Sequence, residues 1–155
     1  QSEPFQFQAW ALGLVGARIA TSAKKGADKG IDGKIIFQGD KQGSFETVIL
    51  SVKAGHTNVA HVRDLKGVLD REKAAIGVLI SMQEPTSPMK TEAITAGFYE
   101  STTWGKKYPK VQLLTIAELL AGIKKVEMPP IKQVGATFKK APKVMKSGTE
   151  QGELL

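Results

Sequence analysis

Residues 30–53 have the sequence GIDGKIIFQGDKQGSFETVILSVK, in which two apolar stretches flank a polar turn. The stretches at residues 31–37 and 47–53 are rich in β-branched residues and predict two β-strands. Between them, residues 38–43 (QGDKQG) have the glycine and aspartate content of a hairpin turn. The segment therefore predicts an antiparallel hairpin, whose open end brings the start of the first strand beside the end of the second.

The rest of the chain adds helices and further strands. Apolar residues recur three and four positions apart at residues 7–15 and 59–73, which predicts two amphipathic helices. Residues 75–81 (AIGVLIS) form a near-continuous apolar run, typical of a strand buried on both faces. Ser-Pro at residues 87–88 predicts the start of a helix that continues to about residue 100. A short apolar stretch at 111–114 predicts another strand. A Thr-x-x-Glu capping box then predicts a helix that ends at Gly122.

The order of these elements predicts the fold class. Strands that alternate with helices pair in parallel through crossovers, whereas the first two strands form an antiparallel hairpin. We therefore predict an α/β domain over residues 1–122, with a mixed β-sheet flanked by helices. Residues 123–155 contain Pro129-Pro130 and no sustained periodicity, which predicts a basic, weakly structured tail.

Composition excludes several classes of protein. The chain has 155 residues, a formal charge of +7 and no cysteine, so disulfide frameworks, thiol nucleophiles and thiolate zinc sites are excluded. Its longest apolar run is too short to cross a membrane, and we expect a cytoplasmic protein without membrane contact. The basic excess favours an anionic partner such as nucleic acid. Because the sequence begins with Gln1, we expect it to be a piece of a longer protein.

Asp32 and Lys53 form the candidate catalytic constellation. Asp32 stands at the start of the first hairpin strand and Lys53 at the end of the second, so antiparallel pairing places them at one edge of the sheet. A carboxylate can hold Mg²⁺ or Mn²⁺ on a phosphate, while a lysine stabilises negative charge or positions the attacking water. The pair therefore predicts metal-assisted hydrolysis of a phosphodiester.

In this order of elements, GIDG at residues 30–33 and SVK at residues 51–53 resemble the PD-(D/E)xK nuclease superfamily, in particular its Mrr-like restriction endonuclease branch. The likeness covers about residues 5–122. The strings VRDLKGVLDREKAAIGVLIS and EPTSPM further resemble nuclease-like domains fused behind adenine-type DNA methyltransferases. The resemblance implies a restriction-endonuclease-like fold and, in such a fusion, an upstream methyltransferase domain.

The resemblance also assigns roles, with two departures. It implies Asp32 and the backbone carbonyl of Val52 as metal ligands and Lys53 as the electrostatic catalyst. Ser51 stands where the superfamily has Glu, Asp or Gln, and Gln8 stands where the branch often has Glu. A hydroxyl is a poorer ligand for Mg²⁺ than a carboxylate. The missing carboxylate could come from the following helix, where the candidates are Asp64, Asp70 and Glu72.

Basic side chains around Asp32 predict a surface for double-stranded DNA. The candidate DNA-binding residues are Lys24, Lys25, Lys29, Lys34 and His56. Charge of this kind forms salt-dependent contacts with backbone phosphates. A homodimer is compatible with the same sequence.

Three functions stay open at this point. The leading interpretation is an Mg²⁺-dependent deoxyribonuclease domain of a restriction–modification system. The alternative is a non-catalytic DNA-binding module, in which Ser51 and Gln8 mark a degenerate metal site. The third is a scaffold domain of a larger methyltransferase. DNA cleavage, DNA binding without cleavage, and the absence of both distinguish the three.

Overall fold

The computed structural model describes residues 4–16, 18–19 and 30–130 of the chain. These residues form four helices and seven strands. The helices are α1 (Pro4–Leu14), α2 (Val59–Glu72), α3 (Ser87–Ile94) and α4 (Ile116–Ala121). The strands are β1 (Arg18–Ile19), β2 (Gly33–Gln38), β3 (Phe45–Lys53), β4 (Ile76–Ser81), β5 (Phe98–Ser101), β6 (Lys106–Pro109) and β7 (Val111–Thr115).

The main sheet has the strand order β1-β2-β3-β4-β7. Strands β2 and β3 pair antiparallel as a hairpin, and β3, β4 and β7 run parallel to one another. The two parallel pairs are joined by crossovers that contain α2 and α3, as helix–strand alternation requires. The predicted fold class, a mixed α/β sheet flanked by helices, is confirmed.

Helices cover both faces of the sheet and divide the core into two clusters. One cluster joins the α1 residues Ala11 and Leu12 to β3 and β4, and Ile116 of α4 belongs to it as well. The other joins Val62 and Leu65 of α2 and Met89 of α3 to the opposite face of the same strands. Because β3 and β4 are covered on both faces, residues 48–52 and 76–81 are buried throughout, as the apolar run at 75–81 predicts.

Short polar signals set the helix ends. Asn58 caps α2: its side chain accepts the N–H of Ala60, and His61 accepts the N–H of Asn58 at Nδ1, 3.1 Å away. Thr115 and Glu118 form the predicted capping box of α4, and Gly122 ends that helix in the left-handed region with φ 73°.

The prediction for the third helix is wrong at both ends. Thr86, rather than Ser87, is the N-cap, because the Thr86 hydroxyl accepts the N–H of Met89. The helix ends at Ile94 instead of continuing to residue 100. Gly97 then adopts φ 80°, which breaks the helical backbone. The chain continues into the β5–β6 hairpin, for which the sequence has no recognisable local pattern.

Asp40 joins this second hairpin to the first. It lies in the turn between β2 and β3, and its carboxylate accepts the N–H groups of Thr102 and Thr103 and the hydroxyl of Ser101 at 2.9–3.1 Å. The N–H groups of Thr102 and Thr103 hold the pKa of Asp40 well below its usual range. Tyr99 of the same hairpin meets Phe37 edge to face, with ring centroids 5.7 Å apart.

The chain stays in contact with the domain beyond Gly122. The buried side-chain amide of Gln112 donates to the carbonyl of Glu127 and accepts its N–H, both at 2.8 Å. It also donates to the carbonyl of Pro109 at 3.0 Å. Val126 and Met128 pack against the α1-side core. Residues 126–128, which lie in the predicted tail, are therefore in contact with the domain.

Candidate functional site

Asp32 ties the ends of the two hairpin strands together. It lies one residue before β2, and its backbone N–H donates to the carbonyl of Leu50 at 2.8 Å. Its side-chain Oδ2 accepts the N–H of Val52 at 2.7 Å. One carboxylate oxygen thus takes the place of a backbone carbonyl at the end of the β2–β3 ladder.

Ser51 and Lys53 lie beside Asp32. The register pairs Gly33 with Leu50, so that one residue further Asp32 is opposite Ser51. Lys53 follows two residues later on the same face of β3, as alternation along a strand requires. The structure therefore brings Asp32, Ser51 and Lys53 together at the open end of the hairpin.

The protonation of Asp32 reflects this position. Burial raises the pKa of Asp32, because a charged carboxylate loses hydration there. The N–H of Val52 and the charge of Lys53 act in the opposite direction and only partly offset burial. The carboxylate is consequently less ready to ionise than a free aspartate.

The backbone of Val52 faces Asp32 at the end of the hairpin. Its N–H is directed to Asp32. In an antiparallel ladder the N–H and C=O of one residue face the same neighbouring strand. The carbonyl of Val52 is therefore directed to the side on which Asp32 lies.

Ser51, which stands where the resemblance implies a second carboxylate, is a buried residue with a hydroxyl group. Its exposed fraction is 4%. Its neighbour two residues back, Ile49, belongs to the α2-side core, so the Ser51 side chain is directed to that side of the sheet. Within the described part of the chain, no hydrogen bond involves the Ser51 hydroxyl.

Asp64 and Asp70 are two of the residues predicted to supply the missing carboxylate. Both are exposed residues of α2, whose buried stripe consists of other residues, Val62, Leu65, Val68 and Leu69. In residues 4–16, 18–19 and 30–130, no three His, Cys, Asp or Glu side chains lie close enough to share an ion. The site offers a hard cation one carboxylate, which already accepts a hydrogen bond and lies beside an ammonium group. These residues do not fit a resident Mg²⁺.

Gln8 belongs to a different layer. It is a half-buried residue of α1, and α1 packs on the face of the sheet opposite α2. The Ser51 side chain is directed to the α2 side. The part of the chain that the structure describes contains no hydrogen bond between Gln8 and Asp32, Ser51 or Lys53.

The predicted DNA-binding residues are described only in part. Lys34 is half-buried in β2 and pairs with Ile49, which places it on the same face as Ser51. His56 is exposed in the loop between β3 and α2. Lys24, Lys25 and Lys29 lie outside the described residues.

The Asp40 cluster and the exposed side chain of Trp10 are two features that the sequence patterns did not predict. The Asp40 cluster joins residues that are 62 positions apart in the chain. The sequence indicates only that Asp40 lies in a turn and does not identify its hydrogen-bond partners. Trp10, which helical spacing places in the core, is instead 48% exposed, although Phe7 packs against it. No helix among the described residues is long and apolar enough to cross a membrane.

An antiparallel hairpin extended by parallel strands, with Asp32 and Lys53 at the hairpin end, is the arrangement that the resemblance to restriction endonucleases implies. A family model described as NACHT-associated inactive Restriction Endonuclease 1 matches residues 4–121. The chain belongs to this family. Searches of curated proteins and of solved structures found no match.

Proposed function

We propose that this domain is a non-catalytic DNA-binding module that uses a degenerate nuclease fold. One observation carries the proposal: the site keeps Asp32 and Lys53 but has the hydroxyl of Ser51 in place of the second carboxylate. The family description, which contains the word inactive, supports the same conclusion.

The charge of the site argues against cleavage. Metal-assisted phosphodiester hydrolysis needs a cation held where it can polarise the phosphate and activate water. Here Asp32 provides one negative charge, and Lys53 lies close enough to lower its pKa. A divalent cation at this position would be attracted by one carboxylate and repelled by the neighbouring ammonium.

Basic residues support the binding part of the proposal. Lys53 lies at the site, and Lys34 lies on the same face of the neighbouring strand. The whole chain carries a formal charge of +7. Lysines on one face make salt-dependent contacts with backbone phosphates and carry little sequence information. We therefore propose double-stranded DNA as the partner.

Three more specific statements made from the sequence stay predictions. These are the Mrr-like branch, a fused adenine-type DNA methyltransferase and a homodimer. The family description instead associates its members with NACHT. We propose that the domain serves a protein of that kind as a DNA-binding accessory.

The test combines cleavage with binding. The purified chain is incubated with supercoiled plasmid in Mg²⁺ and in Mn²⁺, and binding to a labelled duplex is measured by fluorescence anisotropy over a series of salt concentrations. We expect no nicking, together with an affinity that falls steeply as salt rises. Nicking that Lys53→Ala abolishes would establish a nuclease, and absence of binding at low salt would exclude the DNA-binding module.

A further inference from the structure

The charge at the hairpin end suits an anion rather than a metal ion. In the superfamily pattern two acidic side chains accompany the lysine. In this chain Ser51 removes one of those negative charges, so Asp32 and Lys53 balance, and Lys34 adds a positive charge on the same face. With one carboxylate and two ammonium groups, the site attracts a negatively charged group more strongly than a divalent cation.

We propose that a DNA backbone phosphate binds directly to Lys53 and Ser51, without a divalent cation between the phosphate and the protein. The inference rests on the DNA-binding function proposed above and identifies the group on the ligand that the degenerate site takes.

Among the described residues, the Ser51 hydroxyl is a buried donor without a hydrogen-bond acceptor. Buried hydroxyl groups in proteins almost always have a hydrogen-bond partner. Ser51 is 4% exposed as a residue, and its hydroxyl makes no hydrogen bond to any residue that the structure describes. A phosphate oxygen is a strong acceptor, and it would satisfy this group.

Lys53 provides the charge, and Asp32 fixes its position. Lys53 is the last residue of β3 and is half-buried, with its neighbour Val52 held by the 2.7 Å hydrogen bond to Asp32. An ammonium group binds phosphate as a compact point charge and needs no second basic residue in a fixed plane. Asp32 thus acts as a positioning residue for the strand end that carries Lys53.

The first experiment measures duplex binding in EDTA and in MgCl₂ at matched ionic strength. We expect equal affinities, because no cation joins the phosphate to the site. Lys53→Ala should weaken binding about tenfold, as loss of a charge-assisted hydrogen bond does. It should also reduce the slope of log affinity against log salt by about 0.9, the value for one phosphate contact.

The matched control is Lys107→Ala. Lys107 is an exposed lysine of β6, in the hairpin that the β2–β3 turn holds at the other end of the sheet. This variant removes the same charge from the whole molecule but leaves the proposed phosphate site intact. Its affinity and salt slope should stay close to those of the original chain.

The second experiment restores a carboxylate. Ser51→Asp and Ser51→Asn have side chains of similar size that differ in charge, so packing effects are common to both. We expect the Asp variant to bind DNA more weakly in EDTA than the Asn variant, and to regain affinity when Mg²⁺ is added. Circular dichroism of both variants shows whether the fold is kept, and Lys53→Ala decides the matter if Ser51→Asp does not fold.

The outcomes separate the two proposals. DNA binding that requires Mg²⁺, or a Lys53→Ala variant that matches Lys107→Ala, overturns the direct phosphate site and leaves the DNA-binding module standing. Absence of DNA binding by the original chain overturns both.

Discussion

Burial has the largest effect on Asp32, the residue around which the candidate site is built. The carboxylate ties β2 to β3 through the N–H of Val52 and lies beside Lys53, yet its pKa is raised by burial. An ionised carboxylate at this position therefore costs folding free energy relative to a neutral group. Residues with such a cost are characteristic of sites inherited for function, whether or not the original chemistry survives.

Asp32→Asn should stabilise the protein at neutral pH. The amide oxygen can still accept the N–H of Val52, while the cost of burying a charge disappears. The raised pKa means that the folded state holds the proton more tightly than the unfolded chain. Stability from Asp32 is therefore fully present below pH 3.8 and is lost as the pH rises through the folded-state pKa. Thermal unfolding across pH should show a gain for Asp32→Asn at neutral pH that vanishes in acid.

Asp64→Asn is the control for this comparison, because Asp64 is an exposed aspartate of α2. If Asp32→Asn lowers the unfolding temperature at neutral pH relative to this control, the hydrogen bond and Lys53 outweigh burial, contrary to the prediction.

Gly77 is required by close packing between β4 and α2. A Cβ atom at this position would lie 3.0 Å from both Cδ atoms of Leu69 and 3.1 Å from Cγ of Leu65. Gly77→Ala should therefore lower the free energy of unfolding by about 1–3 kcal/mol, as overpacking of a core does. Chemical denaturation measures the change.

Gly67 offers the opposite case for the same substitution. It lies within α2, is exposed, and has no atom within 4 Å of an added Cβ. Gly67→Ala should stabilise the protein by about 0.5–1 kcal/mol through helix propensity. If Gly67→Ala and Gly77→Ala both lowered the free energy of unfolding, the loss could not be assigned to close packing at Gly77 alone.

At the scale of elements, the sequence predicts the parts that repeat or that begin with a polar cap. The hairpin, the buried strand at 75–81, α2 and the capping box of α4 follow from local patterns, and the structure contains all of them. The β5–β6 hairpin escapes prediction because its stability depends on contacts distant in sequence, with Asp40 and Phe37. The site is also predictable only in part. Strand pairing, which the sequence indicates, places Asp32 near Lys53. The packing of α1 and α2 on opposite faces of the sheet, which separates Gln8 from Ser51, leaves no local pattern in the sequence.

Asp40 should hold the β5–β6 hairpin to the rest of the domain. Asp40→Ala removes the acceptor for the N–H groups of Thr102 and Thr103. We expect faster hydrogen exchange and faster proteolysis at residues 98–109, while the amides of β3 and β4 change little. The depressed pKa of Asp40 adds a dependence on pH: its stabilising contribution is present above pH 3.8 and is lost as the pH falls below it.

Glu100→Gln is the control for Asp40, since Glu100 is an exposed acidic residue of the same hairpin. Equal exchange at residues 98–109 in Asp40→Ala and Glu100→Gln would contradict the proposed role of Asp40.

At the scale of the whole molecule, the segment after α4 completes the domain at one edge of its sheet. Strand β7 is the last strand in the order, and Gln112 of that strand pairs with both backbone groups of Glu127. Val126 and Met128 add apolar contacts to the α1-side core. The predicted boundary at Gly122 marks the end of the periodic apolar pattern. Contact with the domain continues to residues 126–128, because it depends on one buried amide and two apolar side chains, which are too few to form a periodic pattern in the sequence.

A chain ending at residue 130 should consequently be more stable than one ending at residue 122. The shorter chain leaves the buried amide of Gln112 without Glu127, and an unsatisfied buried polar group costs roughly 1–3 kcal/mol. We therefore expect its free energy of unfolding to be lower by about 2 kcal/mol or more. Gln112→Leu separates the hydrogen bonds from the lost apolar contacts. It should destabilise the longer chain, in which it removes satisfied hydrogen bonds, and destabilise the shorter chain less or stabilise it. Equal effects of Gln112→Leu in both lengths would show that Gln112 and Glu127 do not act together, and that residues 123–130 stabilise the domain through Val126 and Met128 alone.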